Sequence, residues 1–444
     1  MKHRAIAFML CFILLMNICP STISAASLTT VPDGYIAIYT VNDLDKVHND
    51  LSKNYILMSD ITFSDTNKWR YQVNPFTGTF DGNGHTIYGL NLLTDTSPKN
   101  IGFFSINEGI IKNLTLCDIS FTHSEKTSSS NYIGAFAGIN RGTIANCSFI
   151  KDKLFRLGIY NSHAGGIAGS NESTGSIIYC KNAVPLYSYS SAGTSQSIGG
   201  ITSNNNGKIL YCKNTASITA AAGSSYYTTI ASAGGIAGAN SYGNISKSYN
   251  SGTITSLSAT YKYCGGIVGD YSGNLDNCYN IGTISTSATN YGGIAVGYSD
   301  SHKVSCCYTS TGSAFSFGTK PDYCYENLTS NELCDKATFE GFDFDFVWEM
   351  DERLKRPVFN ENILKIKADD NKIFYQVDSY IYGGSAALYI AWYQDDKLIE
   401  TREIPVILGT TENGSYIFSK DGTKCKLFLV DKITYAPLCI SVES

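Results

Sequence analysis

Charged residues, histidines and long apolar runs are all scarce in this chain, and each scarcity removes a class of function. Charged side chains make up 16% of 444 residues. Thirty-three basic residues against 38 acidic ones give a net charge of −5, which becomes −7 once Lys2 and Arg4 leave with the N-terminal segment described below. A mildly acidic chain argues against nucleic acid or an anionic membrane as the main partner. Of six histidines, His3 lies in that same segment, and His48, His85, His123, His163 and His302 are scattered without metal-ligand spacing. No His-Glu-x-x-His occurs. No catalytic residue, metal or cofactor is expected. Beyond the N-terminus no stretch reads as transmembrane, and the final Ser-Val-Glu-Ser carries no sorting tail. What fills the chain instead is Gly, Ser, Thr, Asn and Tyr, with 41 Gly and 31 Tyr. That composition suits an extended β surface kept soluble by hydroxyls and amides.

Residues 1–26 have the form of a secretory signal. Lys2 and Arg4 are the positive start, Ala5 to Met16 the apolar stretch, and Thr22-Ile23-Ser24-Ala25-Ala26 the small-residue cleavage region. A secreted, extracellular protein is expected, associated in part with the cell surface.

A phrase then recurs. It reads Ala164-Gly165-Gly166-Ile167-Ala168-Gly169, Ile198-Gly199-Gly200-Ile201, Ala233-Gly234-Gly235-Ile236, Cys264-Gly265-Gly266-Ile267 and Tyr291-Gly292-Gly293-Ile294, with looser copies at Gly134 and Gly102. Steps between the first glycines are 32, 31, 34, 35, 31 and 27 residues. Self-similarity at this period points to stacked repeats. Within each step, short runs such as Thr143-Ile144-Ala145 and Ser176-Ile177-Ile178 alternate apolar and polar, the mark of strands. Glycines 142, 175, 207, 243 and 273 precede these strands, at turns needing positive φ or close backbone approach.

Two columns run beside the phrase. Cys147, Cys180, Cys212, Cys278 and Cys307 share one slot with Ser248 and Leu114. A slot that accepts all three types is an inward packing position, where cysteine acts as a small hydrophobe. Rung spacing of ~4.8 Å leaves disulfides open as an alternative. Two residues further on stand Asn182, Asn214, Asn250 and Asn280. They are either amides bonded from rung to rung or turn residues in a left-handed conformation. Cys306 and Cys307 are expected to split across the wall. Tyr249, Tyr279 and Tyr308 follow the Cys column, so they alternate outward. They form either an aromatic strip for sugar faces or a protein partner, or a stack that only stiffens the wall.

The ends differ from the repeats. Val41 to Leu51 has helical spacing and is expected to cover the open N-terminal edge. Thr329-Ser330-Asn331-Glu332 is a capping-box sequence, followed by aromatic residues from Phe339 to Trp348. From about Ile363 the repeat is gone, and alternating strands suggest a small β-sandwich in which Cys425 and Cys439 pair or pack inward. The organisation is therefore 27–100 N-terminal cap and first rungs, 101–319 repeats, 320–363 C-terminal cap and 364–444 an immunoglobulin-like sandwich.

The Gly-Gly-Ile copies, the phrase from Phe76 to Ile87 and the phrase from Phe339 to Trp348 resemble the GLUG-motif repeat family of secreted and cell-surface bacterial proteins. The resemblance covers roughly 32 to 363 and implies an all-β, right-handed parallel β-helix. Residues 370–444 resemble a small β-sandwich that ends some secreted Gram-positive proteins, on Ala391-Trp392-Tyr393 and Lys426-Leu427-Phe428-Leu429.

Enzymatic β-helices need convergent carboxylates. Asp270, Asp276 and Asp300 fall on different rungs or turns, and Asp343, Asp345, Glu349, Asp351 and Glu352 cluster only in the C-terminal cap, where a solvated edge is the simpler reading. Asp81-Gly82-Asn83-Gly84 is too short for a full calcium loop, and His85 beside it is read as a turn residue. The expected function is non-enzymatic adhesion or recognition by a monomer, toward a glycan or a host or envelope protein. The alternatives are a β-helix polysaccharide lyase or glycosidase, and a ligand-free spacer.

Overall fold

The computed structural model describes residues 30–443 apart from 65–68, 71, 94–99, 123–130, 152–156, 161, 191–195, 223–229, 258–260, 287–289, 297–302, 311–313, 315–323, 361–363, 370–371, 379–385, 395–396, 407–410, 418–422 and 432–441. One rung shows how the repeat works. Its strands are Ser162–Gly165, Ala168–Asn171, Ser176–Ile178, Lys181–Asn182 and Leu186–Ser190, and the next strand, Gln196–Gly199, returns to lie beside the first. Each strand pairs in parallel with its counterpart one repeat away, so the strands stack into walls, numbered here one to five in that order. Walls three and four are ten-stranded, wall one has seven strands, wall two six and wall five five. The chain is a parallel β-solenoid, as expected.

Period-2 alternation sets what points inward. In wall three the middle residue of each three-residue strand faces the core, giving the column Phe80, Ile111, Ile144, Ile177, Ile209, Ile245 and Leu275, each at most 1% exposed. Burying one such side chain is worth about 1.5–3 kcal/mol. Parallel pairing in register stacks like on like, which is why the repeat keeps Ile at this slot.

The Asn column is a hydrogen-bonded ladder. Asn182 Nδ2 donates to Asn214 Oδ1 at 2.8 Å, Asn214 to Asn250 at 2.7 Å and Asn250 to Asn280 at 2.8 Å. None of the four has positive φ, so the turn reading falls. Left-handed backbone occurs instead at Asn113, Asn146, Tyr179, Tyr211, Lys247, Asn277 and Cys306, the corner directly before the Cys slot. A second ladder, not anticipated from sequence, links Asn107, Asn140, Asn171, Asn205 and Asn240 at 2.8, 2.8, 2.8 and 2.9 Å.

The second glycine of each pair is required by the first ladder. A Cβ on Gly200 would lie 2.1 Å from the Gly235 carbonyl oxygen and 2.5 Å from Asn214 Cγ, and Gly166, Gly235 and Gly266 meet the same obstacles. One repeat earlier Ala135 stands beside Gly166, and there Phe149 replaces the ladder Asn. The turn glycines, such as Gly175 and Gly243, likewise answer to close approach, since their Cβ atoms would strike ladder amides at 2.3 and 2.1 Å and neither has positive φ.

Cys147, Cys180, Cys212, Cys278 and Cys307 are buried thiols. Each Sγ donates to the carbonyl two residues earlier at 3.3–3.4 Å, and Ser248 Oγ makes the same bond at 2.8 Å. That shared geometry explains why Ser fits the slot. Cys306 lies half-buried on the outer side, so the twin cysteines do split across the wall.

At the N-terminus a helix spans Val41–Asp45, capped by Thr40 and Asp43, and continues as a 3-10 turn. Leu44 and Val47 press into the solenoid core. Among the described residues after 363 lie seven antiparallel strands: β1 (Leu364–Asp369), β2 (Lys372–Asp378), β3 (Ala386–Gln394), β4 (Lys397–Pro405), β5 (Thr411–Ile417), β6 (Thr423–Asp431) and β7 (Val442–Glu443). They form one sheet ordered β1-β2-β5 and another ordered β4-β3-β6-β7. Whether Cys425 and Cys439 pair or pack inward falls outside the described side chains. No helix among the described residues is long and apolar enough to cross a membrane.

Candidate functional site

The expected aromatic strip exists, but it is not a surface. Tyr249, Tyr279 and Tyr308 point out of wall four, yet they are 4%, 0% and 0% exposed. Segment 324–360 folds back along this wall and covers them with Leu328, Phe339, Phe342, Val347, Trp348 and Phe359. The Tyr249 and Tyr279 rings stack at 4.9 Å, and Trp348 meets Tyr279 at 5.7 Å. Phe339 and Phe342 lie 5.0 and 5.3 Å from Tyr308. The hydroxyls are also taken: Tyr279 donates to the Pro357 carbonyl and Tyr308 to the Glu340 carbonyl at 2.7 Å. Burial pushes both phenols well above their ordinary range.

This corrects the binding-strip reading and agrees with the other one, in which Tyr rings stack on the wall. Alternation told which side of the sheet each Tyr occupies, and it was silent on what packs against that side. A signal was present in the column itself. Upstream it reads Thr115, Ser148, Lys181 and Lys213, and it switches to Tyr249, Tyr279 and Tyr308 opposite the aromatic segment. Cations add to this seam, with Arg356 5.7 Å from the Tyr249 ring centroid and Lys247 5.4 Å from that of Tyr211.

The acidic cluster is structural. Asp343 Oδ1 accepts from the Asp345 and Phe346 amides, both at 3.0 Å, and Asp351 Oδ1 from Arg353 at 2.8 Å and Leu354 at 2.6 Å. These carboxylates cap turns while Val347 and Trp348 between them are buried. The expected capping box is present, with Thr329 and Glu332 closing the helix Ser330–Leu333. Asp81 is buried, accepting from the Asn83 amide at 2.8 Å and Asn113 Nδ2 at 3.0 Å, with Lys112 Nζ at 3.3 Å. His85 lies 3.1 Å from Asp60 within the same turn region. Asp300, His123 and His302 fall outside the described residues. No group of three or more metal-ligating side chains occurs among those described.

Among the described residues, one aromatic pair with both rings in part open to solvent is on wall one. Tyr132 and His163 occupy outward positions of adjacent rungs, half-buried, with rings stacked at 5.4 Å and 26°. Burial holds His163 below its ordinary pKa, so its ring is neutral near pH 7. Burial, then the Glu172 carboxylate, raises the Tyr132 phenol. The Glu172 carboxylate, which accepts from the buried Ser170 Oγ at 3.2 Å, is near enough to Tyr132 to act on its phenol. Sequence reading set His163 aside as scattered; its signal was the shared register with Tyr132, two residues before the first glycine of each repeat. No family model matches the chain, and no curated protein matches it either.

Proposed function

We propose that this chain is an exported, non-enzymatic solenoid that displays a recognition surface, with the C-terminal sandwich as an accessory module. The signal-like segment 1–26 supports export, and the resemblance to GLUG-motif surface proteins supports the class. The observation that carries the reading is the Tyr132–His163 pair on the wall that segment 324–360 leaves uncovered. Neutral stacked rings with a carboxylate nearby are suited to sugar rings, which offer apolar faces and hydroxyl edges.

The test is a glycan and matrix-protein binding screen with the secreted chain, followed by Tyr132→Ala and His163→Ala. Binding that both substitutions weaken supports the reading. Binding that neither affects moves the surface elsewhere. No binding on any panel favours the second reading, a ligand-free spacer, which the covering of the Tyr column also supports. Turnover of a polysaccharide would establish the enzymatic alternative.

A further inference from the structure

The corner between walls three and four gathers cations around one aromatic platform. Tyr179 and Tyr211 take the left-handed corner position of successive rungs, and their rings stack at 4.5 Å and 11°. Phe359 meets Tyr211 at 6.3 Å and Tyr249 at 5.2 Å, which carries the platform onto wall four. Lys213 Nζ lies 5.8 Å from the Phe359 ring centroid, Lys247 Nζ 5.4 Å from that of Tyr211, and the Arg356 guanidinium 5.7 Å from that of Tyr249. Lys181 stands in register with Lys213 one rung away, so two lysines leave adjacent strands at a spacing of ~4.8 Å. Tyr179, Lys181, Lys213 and Lys247 are each half-buried, with part of the residue open to solvent.

Ring contacts hold these cations without neutralising them. Among the described residues no strand residue of wall four is acidic; the strand acids of the solenoid are Asp81 and Asp276 on wall three and Asp270 on wall two. Asp276 pairs with Ser246 beside Lys247, and its carboxylate accepts from Ser305 Oγ at 2.6 Å and Asn277 Nδ2 at 2.8 Å. Asp351, opposite Arg356 in its hairpin, offsets part of that guanidinium's charge. The chain as a whole is acidic, but charges more than ~10 Å away are largely screened at 0.1 M salt, so the local cations set the field at this corner.

We propose that this corner binds an acidic polysaccharide, whose carboxylates or sulfates lie along Lys181, Lys213 and Lys247. Three successive rungs supply one lysine each, which suits a chain with repeated anionic groups rather than a single small anion. The platform beside them offers apolar surface to sugar rings, and a bare phosphate chain has nothing to place there. The site is on a different part of the solenoid from Tyr132 and His163, and it does not depend on what that pair binds.

The experiment is retention of the full secreted chain on immobilised heparin, a sulfated glycan, and on polygalacturonate, a uronate one, with dextran and polyphosphate as comparisons. Retention on one or both acidic polysaccharides and not on dextran is expected, and raising NaCl from about 0.05 to 0.5 M should release it. The more tightly held of the two tells sulfate from carboxylate recognition. Lys213→Gln together with Lys247→Gln removes two charges and keeps much of each stem, and affinity should fall about tenfold. Lys53→Gln with Lys397→Gln, two exposed lysines elsewhere, should leave retention unchanged, as should Tyr132→Ala. Far-UV circular dichroism checks the fold of every variant. No retention on either acidic polysaccharide at low salt, retention indifferent to salt or to the Lys213/Lys247 pair, equal weakening by the control pair, loss in Tyr132→Ala, or retention on polyphosphate alone would each overturn the proposal.

Discussion

Replacing Asn214 by alanine tests whether the amide ladder holds the rungs together. Asn214 is fully buried at the middle of its column. It accepts from Asn182 at 2.8 Å, donates to Asn250 at 2.7 Å and to the Ala216 carbonyl at 2.8 Å, and accepts from the Ala216 amide at 3.4 Å. Asn182 and Asn250 keep their own turn bonds to Val184 and Gly252, both at 3.1 Å. The two ladder bonds are worth about 1 kcal/mol each, and the Ala216 groups, losing their side-chain partner, cost about 1–3 kcal/mol more. A loss of about 3–5 kcal/mol follows, concentrated in the rungs around 182–250, because each repeat touches only its neighbours. Hydrogen exchange resolved by peptide reads this directly and avoids assuming a two-state transition. Gly200→Ala should be at least as damaging. Adding Asn214→Ala should not rescue it, since the Gly235 carbonyl 2.1 Å from the new Cβ is backbone. A loss below about 1 kcal/mol for Asn214→Ala would refute the reasoning, leaving the ladder as mere space filling.

Lys355→Asn should stabilise the chain by up to about 1 kcal/mol, seen as a higher Tm, because the exposed Lys355 sits at φ +54° where Asn is better tolerated. Cys212→Ser should cost only about 1 kcal/mol in denaturant unfolding, since Ser248 already occupies this slot with the same carbonyl bond; a loss above about 3 kcal/mol would show that the slots are not equivalent. His163 is held below its ordinary pKa in the folded chain, so the unfolded state takes up its proton first and stability is lost as pH falls below about 6.5. His163→Gln should flatten that part of a stability-versus-pH curve, and an unchanged curve would assign the slope to other groups. Tyr279→Ala should expose segment 324–360 to limited proteolysis while leaving exchange protection in walls one and two unchanged.

The solenoid was legible because its signals are local and repeated. Gly165-Gly166-Ile167 and its copies fix the period, and Ile144, Ile177 and Ile209 fix the inward slot of wall three. The Cys and Asn columns were visible as columns, and the ladder geometry decided between two readings of the second. The other ladder was missed because Asn140, Asn171 and Asn205 sit among so many Asn, Ser and Gly that their shared offset from the first glycine did not stand out. Tyr249, Tyr279 and Tyr308 were placed on the correct side of the wall and given the wrong environment. Their partners Phe339, Phe342 and Trp348 are separated from the wall by turns whose path no periodicity encodes. The same limit hid the direction of the C-terminal segment, which lies along the outer face of wall four.

The most direct measurement is tyrosine labelling of the native chain with peptide mapping. The account predicts that Tyr242, 82% exposed, reacts readily, while Tyr249, Tyr279 and Tyr308 remain unlabelled until the chain unfolds. Labelling of those three at the rate of Tyr242 would contradict it, and would return the Tyr column to the surface as a ligand strip.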